Sequence, residues 1–170
     1  MLISRLFKHP IGESMAIVDV VDVENAQQAW GKGIVAISSE YNLGGNYAKL
    51  ARNHVEDLYA YDIGPVLFKP TFAIKDQFRP TFEGALSYFI GGNEDFPEDN
   101  GFAIKGWTKV RFENQEMVIN GSTALSMGNY FFSTPEGEEV KVEFTFGYIA
   151  DASGTLRIHL HHSSMPARID

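Results

Sequence analysis

Residues 139–164 read EVKVEFTFGYIADASGTLRIHLHHSS. Two runs, 139–150 and 155–164, follow a period of about two, the period of a strand whose two faces meet different surroundings. Between them DASG at 151–154 supplies turn residues. A connection this short makes the two runs antiparallel neighbours. The same reading extends backwards through STALSMGNYFFST (122–134) and GWTKVRFENQEM (106–117), joined by TPEGE at 134–138 and ING at 119–121. From Phe102 onward the chain is therefore expected to form a four-stranded antiparallel meander.

Before residue 100 the spacing is helical. Asp22 is a plausible N-cap for a first helix with Val23, Ala26, Trp30, Ile34 and Ile37 on its inner face. Gly31 and Gly33 cost this helix about 1 kcal/mol each relative to Ala, and suggest close packing against a neighbouring element, a kink or a weak helix. LGG at 43–45 is a turn. Asn46 then caps a second helix with Tyr47, Leu50, Val55 and Leu58 inward. PVLFKPTFAI (65–74) is a short strand that leaves through a loop at Pro70. Thr81 caps a third helix, and Gly91-Gly92 ends it. Helices followed by a meander make the class α+β. By analogy, the architecture is a nuclear transport factor 2-like cone. The expected division is an N-terminal arm at 1–21 and a single domain at 22–170.

The 170 residues include 44% hydrophobic and 13% aromatic side chains, enough for one substantial core. A net charge of −8 argues against a nucleic-acid partner, which needs a basic face. No apolar run approaches a membrane span, so no membrane partner is expected, and the short apolar run at the start does not make a signal peptide. That favours the cytoplasm. With no cysteine, thiolate chemistry and thiolate metal sites are excluded.

Three of five histidines lie in 159–162. Strict alternation puts Leu156, Ile158, Leu160, His162 and Ser164 on one face, and Arg157, His159, His161 and Ser163 on the other. Two histidines at i, i+2 could share a zinc ion. The remaining ligand candidates, His9, His54 and the carboxylates, stand at no diagnostic spacing. Structurally hydrogen-bonded histidines, or a metal-free acid/base or oxyanion-binding role, are the alternatives. No GxSxG elbow supports a serine hydrolase. Lys69 could meet a phosphate, but the absence of a glycine-rich loop favours an ion-paired or snorkelling lysine. Tyr88 is either a half-buried aromatic or a hydroxyl pointing into a pocket. GNYFFS (128–133) and EFTFGY (143–148) are either plain core or the pocket's walls.

VLFKPT, FR at 78–79, GALSYFIGG, GFAI, WTKVRFEN, SMGNYFF, EVKVEFTFGY and HLHHSSMP occur in this order. Together, over residues 22–166, they resemble the iota class of carbonic anhydrases. That class uses a domain similar to the association domain of calcium/calmodulin-dependent protein kinase II. Its terminal signature is a histidine run followed by two serines, here His161-His162 with Leu160 interposed after His159. The resemblance implies reversible hydration of carbon dioxide to bicarbonate without metal or other cofactor. It implies a site of Thr71, Tyr88, His161 and Ser163, with Ser164 as the alternative serine in substrate binding. On that reading the hydroxyls bond bicarbonate, and His161 orients a hydroxyl or carries a proton at the pocket mouth. The other use of such a fold is a non-catalytic oligomerisation hub or small-molecule-binding module. Either use predicts self-association, with a homodimer as the default.

Overall fold

A computed structural model describes residues 17–168. The expected arm at 1–21 lies mostly outside them. The elements are α1 (Val20–Asn42), α2 (Tyr47–Leu58), β1 (Leu67–Lys69), α3 (Phe82–Ile90), a 3-10 turn (Phe102–Ile104), β2 (Lys109–Asn120), β3 (Thr123–Ser133), β4 (Glu139–Ala150) and β5 (Leu156–Ser164). The sheet order is β1-β5-β4-β3-β2. Strands β2 to β5 form the expected antiparallel meander. β1 closes the far edge by pairing parallel with β5, so the strand before the sequence's midpoint lies beside the last one.

The first helix starts three residues before the expected point. Asp19, not Asp22, is the N-cap, accepting from the Asp22 backbone N–H, and the Asp22 carboxylate accepts from the Asp19 N–H in return. This reciprocal pair satisfies two orphan donors, and a lone acidic residue at 22 could not. Asn46 and Thr81 cap α2 and α3 as expected, and Gly91 ends α3 at φ 68°. On α1, Val23, Gln27, Trp30, Ile34 and Ile37 turn inward. Gly31 lets that helix lie on β2: a Cβ there would stand 3.1 Å from Val110 Cβ.

Trp30 is the hub of the core. Its ring lies within 6.4 Å of seven others, contributed by α2, α3 and four strands' inner faces, among them Phe89, Tyr130, Phe146 and His161. Edge-to-face packing of this kind is favoured by the ring quadrupole.

The alternation expected for β5 fails in its middle. Gly147 pairs with Leu160 but Tyr148 pairs with Ile158, so His159 has no partner in the register. One extra residue in one strand is a β-bulge, and it flips the parity of everything beyond it. Leu156 and Ile158 face the core before the bulge. His161 and Ser163 face it afterwards, opposite the buried Phe146 and Phe144. His159 and His161 are thus not a pair on one face. The polar residues of the second half point into the apolar interior.

Candidate active site

Inside that core the polar atoms form one connected chain. The His161 ring is sandwiched between Phe146, with centroids 4.1 Å apart, and Phe68 of β1, 4.8 Å apart. The parallel β1–β5 pairing supplies that second wall, placing Phe68 beside His161 in the register. His161 Nδ1 lies 2.9 Å from the Tyr59 hydroxyl, which in turn accepts from Trp30 Nε1–H at 2.9 Å. On the ring's other side Nε2 lies 2.9 Å from Ser163 Oγ and 3.4 Å from the Tyr130 hydroxyl. Ser163 Oγ also bonds the Tyr130 hydroxyl directly. Tyr130 touches the Thr71 side chain, and Thr71 touches Tyr88. Tyr88 stacks on Phe102 at 5.6 Å and meets the edge of Phe68.

Burial sets the charge states. It drives His161 well below the ordinary histidine value, with His54 and His162 adding to the effect, so the ring is neutral at neutral pH. It raises Tyr88 and Tyr130 well above the ordinary phenol value, although the Thr71 contact pulls both the other way. Both phenols therefore keep their protons and remain donors. The cluster is a set of neutral hydroxyls around a neutral imidazole, enclosed by phenylalanines. Such a site favours an apolar guest that acquires negative charge, since fixed donors act strongly where water is excluded.

The loop that carries Thr71 is held from outside. Arg79 is fully buried, and its guanidinium donates to both Asp99 oxygens at 2.6 and 2.9 Å and to the Gly84 and Asp76 carbonyls. Ser87 donates to the same Asp99 carboxylate. Glu98 accepts from the backbone N–H groups of Ile74, Lys75 and Asp76, and those bonds, with Lys75 first, hold its carboxyl below the usual range. A cavity of about 50 Å³ opens beside Tyr88 between Phe72, Phe102, Asp99 and Lys105. The wider depressions of about 570 and 560 Å³ lie elsewhere on the surface and include none of the cluster.

Of the residues picked from the sequence, Thr71, Tyr88, His161 and Ser163 come together. Ser164 does not: it faces the other way and donates to Glu143 at 3.0 Å. His161 sits in the interior with 2% of its surface exposed, not at a pocket mouth. Lys69 makes no ion pair among the described residues; its Nζ donates to the Ser163 carbonyl at 3.3 Å. Tyr59, Tyr130 and the Trp30 N–H were not picked out. Tyr130 lay in the aromatic run read as wall or core, and only its register opposite β4 distinguishes it. Tyr59 follows the end of α2 and carries no sequence signal of its own. Among the described residues no three His, Asp or Glu side chains converge in a way that could hold a metal ion.

The profile of a family described as metal-independent carbonic anhydrase matches residues 21–165. The chain belongs to the metal-independent carbonic anhydrases. A curated member from Nostoc sp. strain PCC 7120, bearing that description, is 45% identical over 148 residues, 85% of this chain and 72% of the relative. The crystal structure of a cyanobacterial iota-carbonic anhydrase complexed with bicarbonate superposes with a TM-score of 0.89 at 42% identity, covering 95% of this chain and 99% of that one. A calcium/calmodulin-dependent protein kinase II association domain from Xanthomonas campestris matches at TM-score 0.57 and 21% identity, over 93% of this chain and 95% of its own. That likeness, and one at 0.54 to a nuclear transport factor 2-like protein from Streptomyces avermitilis over 88% of this chain and 97% of its own, shows the shared α+β fold. A carbonic anhydrase of this family thus carries its polar cluster inside the core of a widely used scaffold.

Proposed function

We propose that hydration of carbon dioxide, the reaction that defines a carbonic anhydrase, takes place against the Thr71–Tyr88–Tyr130–Ser163 hydroxyls, with bicarbonate as its product. The observation that carries this reading is the convergence of these hydroxyls and the His161 imidazole inside a shell of Phe68, Phe102, Phe144 and Phe146. The superposable cyanobacterial enzyme, crystallised with bicarbonate, supports it. The apolar shell receives carbon dioxide. As the oxygen of a water bonds to the carbon, one C=O electron pair moves onto oxygen. Hydroxyls already aimed at that oxygen stabilise the charge without reorganising. The released proton passes to water through the cavity beside Tyr88. His161, neutral and buried, orients hydroxyls and does not store that proton.

The test is a hydration assay on chelator-treated protein. Tyr88→Phe, which removes a donor, and Ser163→Ala, which releases the Tyr130 hydroxyl it bonds, should each lower kcat/KM by about a hundredfold, the scale of losing one preorganised donor. Wild-type rates in both variants would sink the site assignment. Abolished activity that zinc restores would sink the metal-free version.

We further propose a homodimer formed through the outer sheet face. Val118, Leu125 and Met127 are about half exposed there. Gly147 leaves room for Leu125 and Leu160 to approach across it: a Cβ on Gly147 would stand 2.9 Å from Leu160 Cβ and 3.2 Å from Leu125 Cδ2. Sedimentation of Leu125→Glu as a monomer, beside a dimeric parent, is the expected result. A cytoplasmic location is part of the same proposal and is tested by cell fractionation.

A further inference from the structure

Hydrogen-bond direction along the buried chain is decided at its inner end. An indole N–H can only donate. Trp30 Nε1–H therefore donates to the Tyr59 oxygen. The Tyr59 hydroxyl, fully buried, has one other partner among the described residues, His161 Nδ1 at 2.9 Å. Had Nδ1 carried the proton, Tyr59 would accept twice and its own O–H would be left buried without an acceptor. Proteins avoid such groups because the desolvation penalty is then uncompensated.

We infer that Trp30 and Tyr59 are positioning residues that lock His161 as the Nε2–H tautomer, and that this makes Tyr130 the substrate-facing donor at the end of the chain. With Nδ1 accepting from Tyr59, the proton of the neutral ring sits on Nε2. Nε2–H donates to Ser163 Oγ at 2.9 Å. Ser163, now accepting from the ring, turns its own hydrogen to the Tyr130 oxygen. Tyr130 in turn has its O–H free to point outward, toward Thr71 and whatever lies beside it. Every group from Trp30 to Tyr130 then donates once and accepts once, save the indole at the head. His161 cannot be a general base for Ser163 in this arrangement, because the ring donates to that oxygen. The inner half of the chain thus acts on the reaction only by aiming its outer end. This inference rests on the site proposed above.

The test is nitrogen NMR of the histidine-labelled full chain at neutral pH. The expected spectrum for His161 shows a pyrrole-type, directly protonated Nε2 and a bare, pyridine-type Nδ1. A proton on Nδ1 overturns the inference. Tyr59→Phe should convert the single tautomer to a mixture and lower kcat about tenfold with KM unchanged, the loss expected for one orienting hydrogen bond; retention of a pure Nε2–H signal would also overturn it. At His161 itself, Gln places an amide N–H near the former Nε2 and Asn near the former Nδ1. His161→Gln should retain at least tenfold more activity than His161→Asn, and the reverse order counts against the inference. The two readings fail separately. Unchanged rates in Tyr88→Phe and Ser163→Ala remove the site and leave the tautomer standing, while an Nδ1–H signal beside inactive variants removes only the tautomer lock.

Discussion

Gly33 of α1 and His54 of α2 occupy one place between them: a Cβ on Gly33 would stand 2.1 Å from His54 Nδ1 and 2.7 Å from its Cε1. The His54 ring is buried beside Trp30 and Phe89, with centroids 5.8 and 5.5 Å away. A glycine that is costly in a helix is retained because the imidazole fills its missing side chain. Gly33→Ala gains about 1 kcal/mol of helix propensity but must displace a packed ring, an overpacking cost of about 1–3 kcal/mol or more. Net destabilisation in urea unfolding is the expected outcome. His54→Ala in the same chain should reverse the clash while adding its own cavity, so the double variant should be more stable than the sum of the singles predicts.

Acid should unfold this protein through its buried histidines. Desolvation pushes His54 from 6.5 down to about 3, and His161 moves in the same direction from the same cause. A folded-state value below the unfolded one means that the unfolded chain binds more protons in the window between them. Stability is then complete above pH 6.5 and falls as pH drops toward 3, by up to about 1.4 kcal/mol per pH unit for each histidine. Urea midpoints measured across pH 7 to 4 should follow this slope. His54→Leu should flatten it by about one proton's worth. An unaltered slope would mean that His54 does not contribute.

The Arg79–Asp99 pair should matter more than any surface ion pair here. Both side chains are almost wholly buried, at 0% and 2% exposed, and Asp99 also accepts from Ser87. Asp99→Ala strips a buried guanidinium of its two-pronged carboxylate and leaves it only Glu98, 3.6 Å away, at a cost of about 3 kcal/mol. Arg111 with Glu113 and Glu139 lies at the surface, where water and salt screen the pair and leave it little net effect. Thermal melts of Asp99→Ala and Glu139→Ala should separate by that difference. Because the same network holds the loop bearing Thr71, hydration kcat/KM should fall in the first variant and hold in the second.

The bulge makes a sharp contrast between two histidines that look alike in sequence. His161→Ala empties a site between Phe146 and Phe68 and breaks bonds to Tyr59 and Ser163. A loss of about 2–4 kcal/mol is expected for that combination. His159 is only partly covered and bonds no side chain among the described residues, so His159→Ala should cost about 1 kcal/mol or less. Equal losses would restore the strict alternation that the register rules out.

Much of the scaffold was legible because its signals are local. Asn46, Thr81 and the paired glycines 91–92 mark helix ends by their own hydrogen bonds and backbone freedom. DASG and TPEGE mark hairpins in the same way. The site was legible only in part. Thr71, Tyr88, His161 and Ser163 were reached through the resemblance, while alternation put His161 in the wrong company. A bulge is a two-strand property: it depends on how Gly147 and Tyr148 of β4 meet β5, and β5 alone cannot reveal it. Tyr59 and Tyr130 were missed for a related reason. Each becomes part of the chain through a partner about 102 and 31 residues away.

The parallel seam between β1 and β5 also has a consequence in time. Ribosomes deliver Leu67–Lys69 about 90 residues before Leu156–Ser164. Until the last strand emerges, Phe68 has no imidazole to stack on and Tyr130 no serine to bond. The nascent chain carries a bare, greasy edge through about half of its synthesis, which invites chaperones. If the proposed site is the working one, competence arrives only with the final hairpin, and a product stalled before it is expected to be inert and not a half-working enzyme.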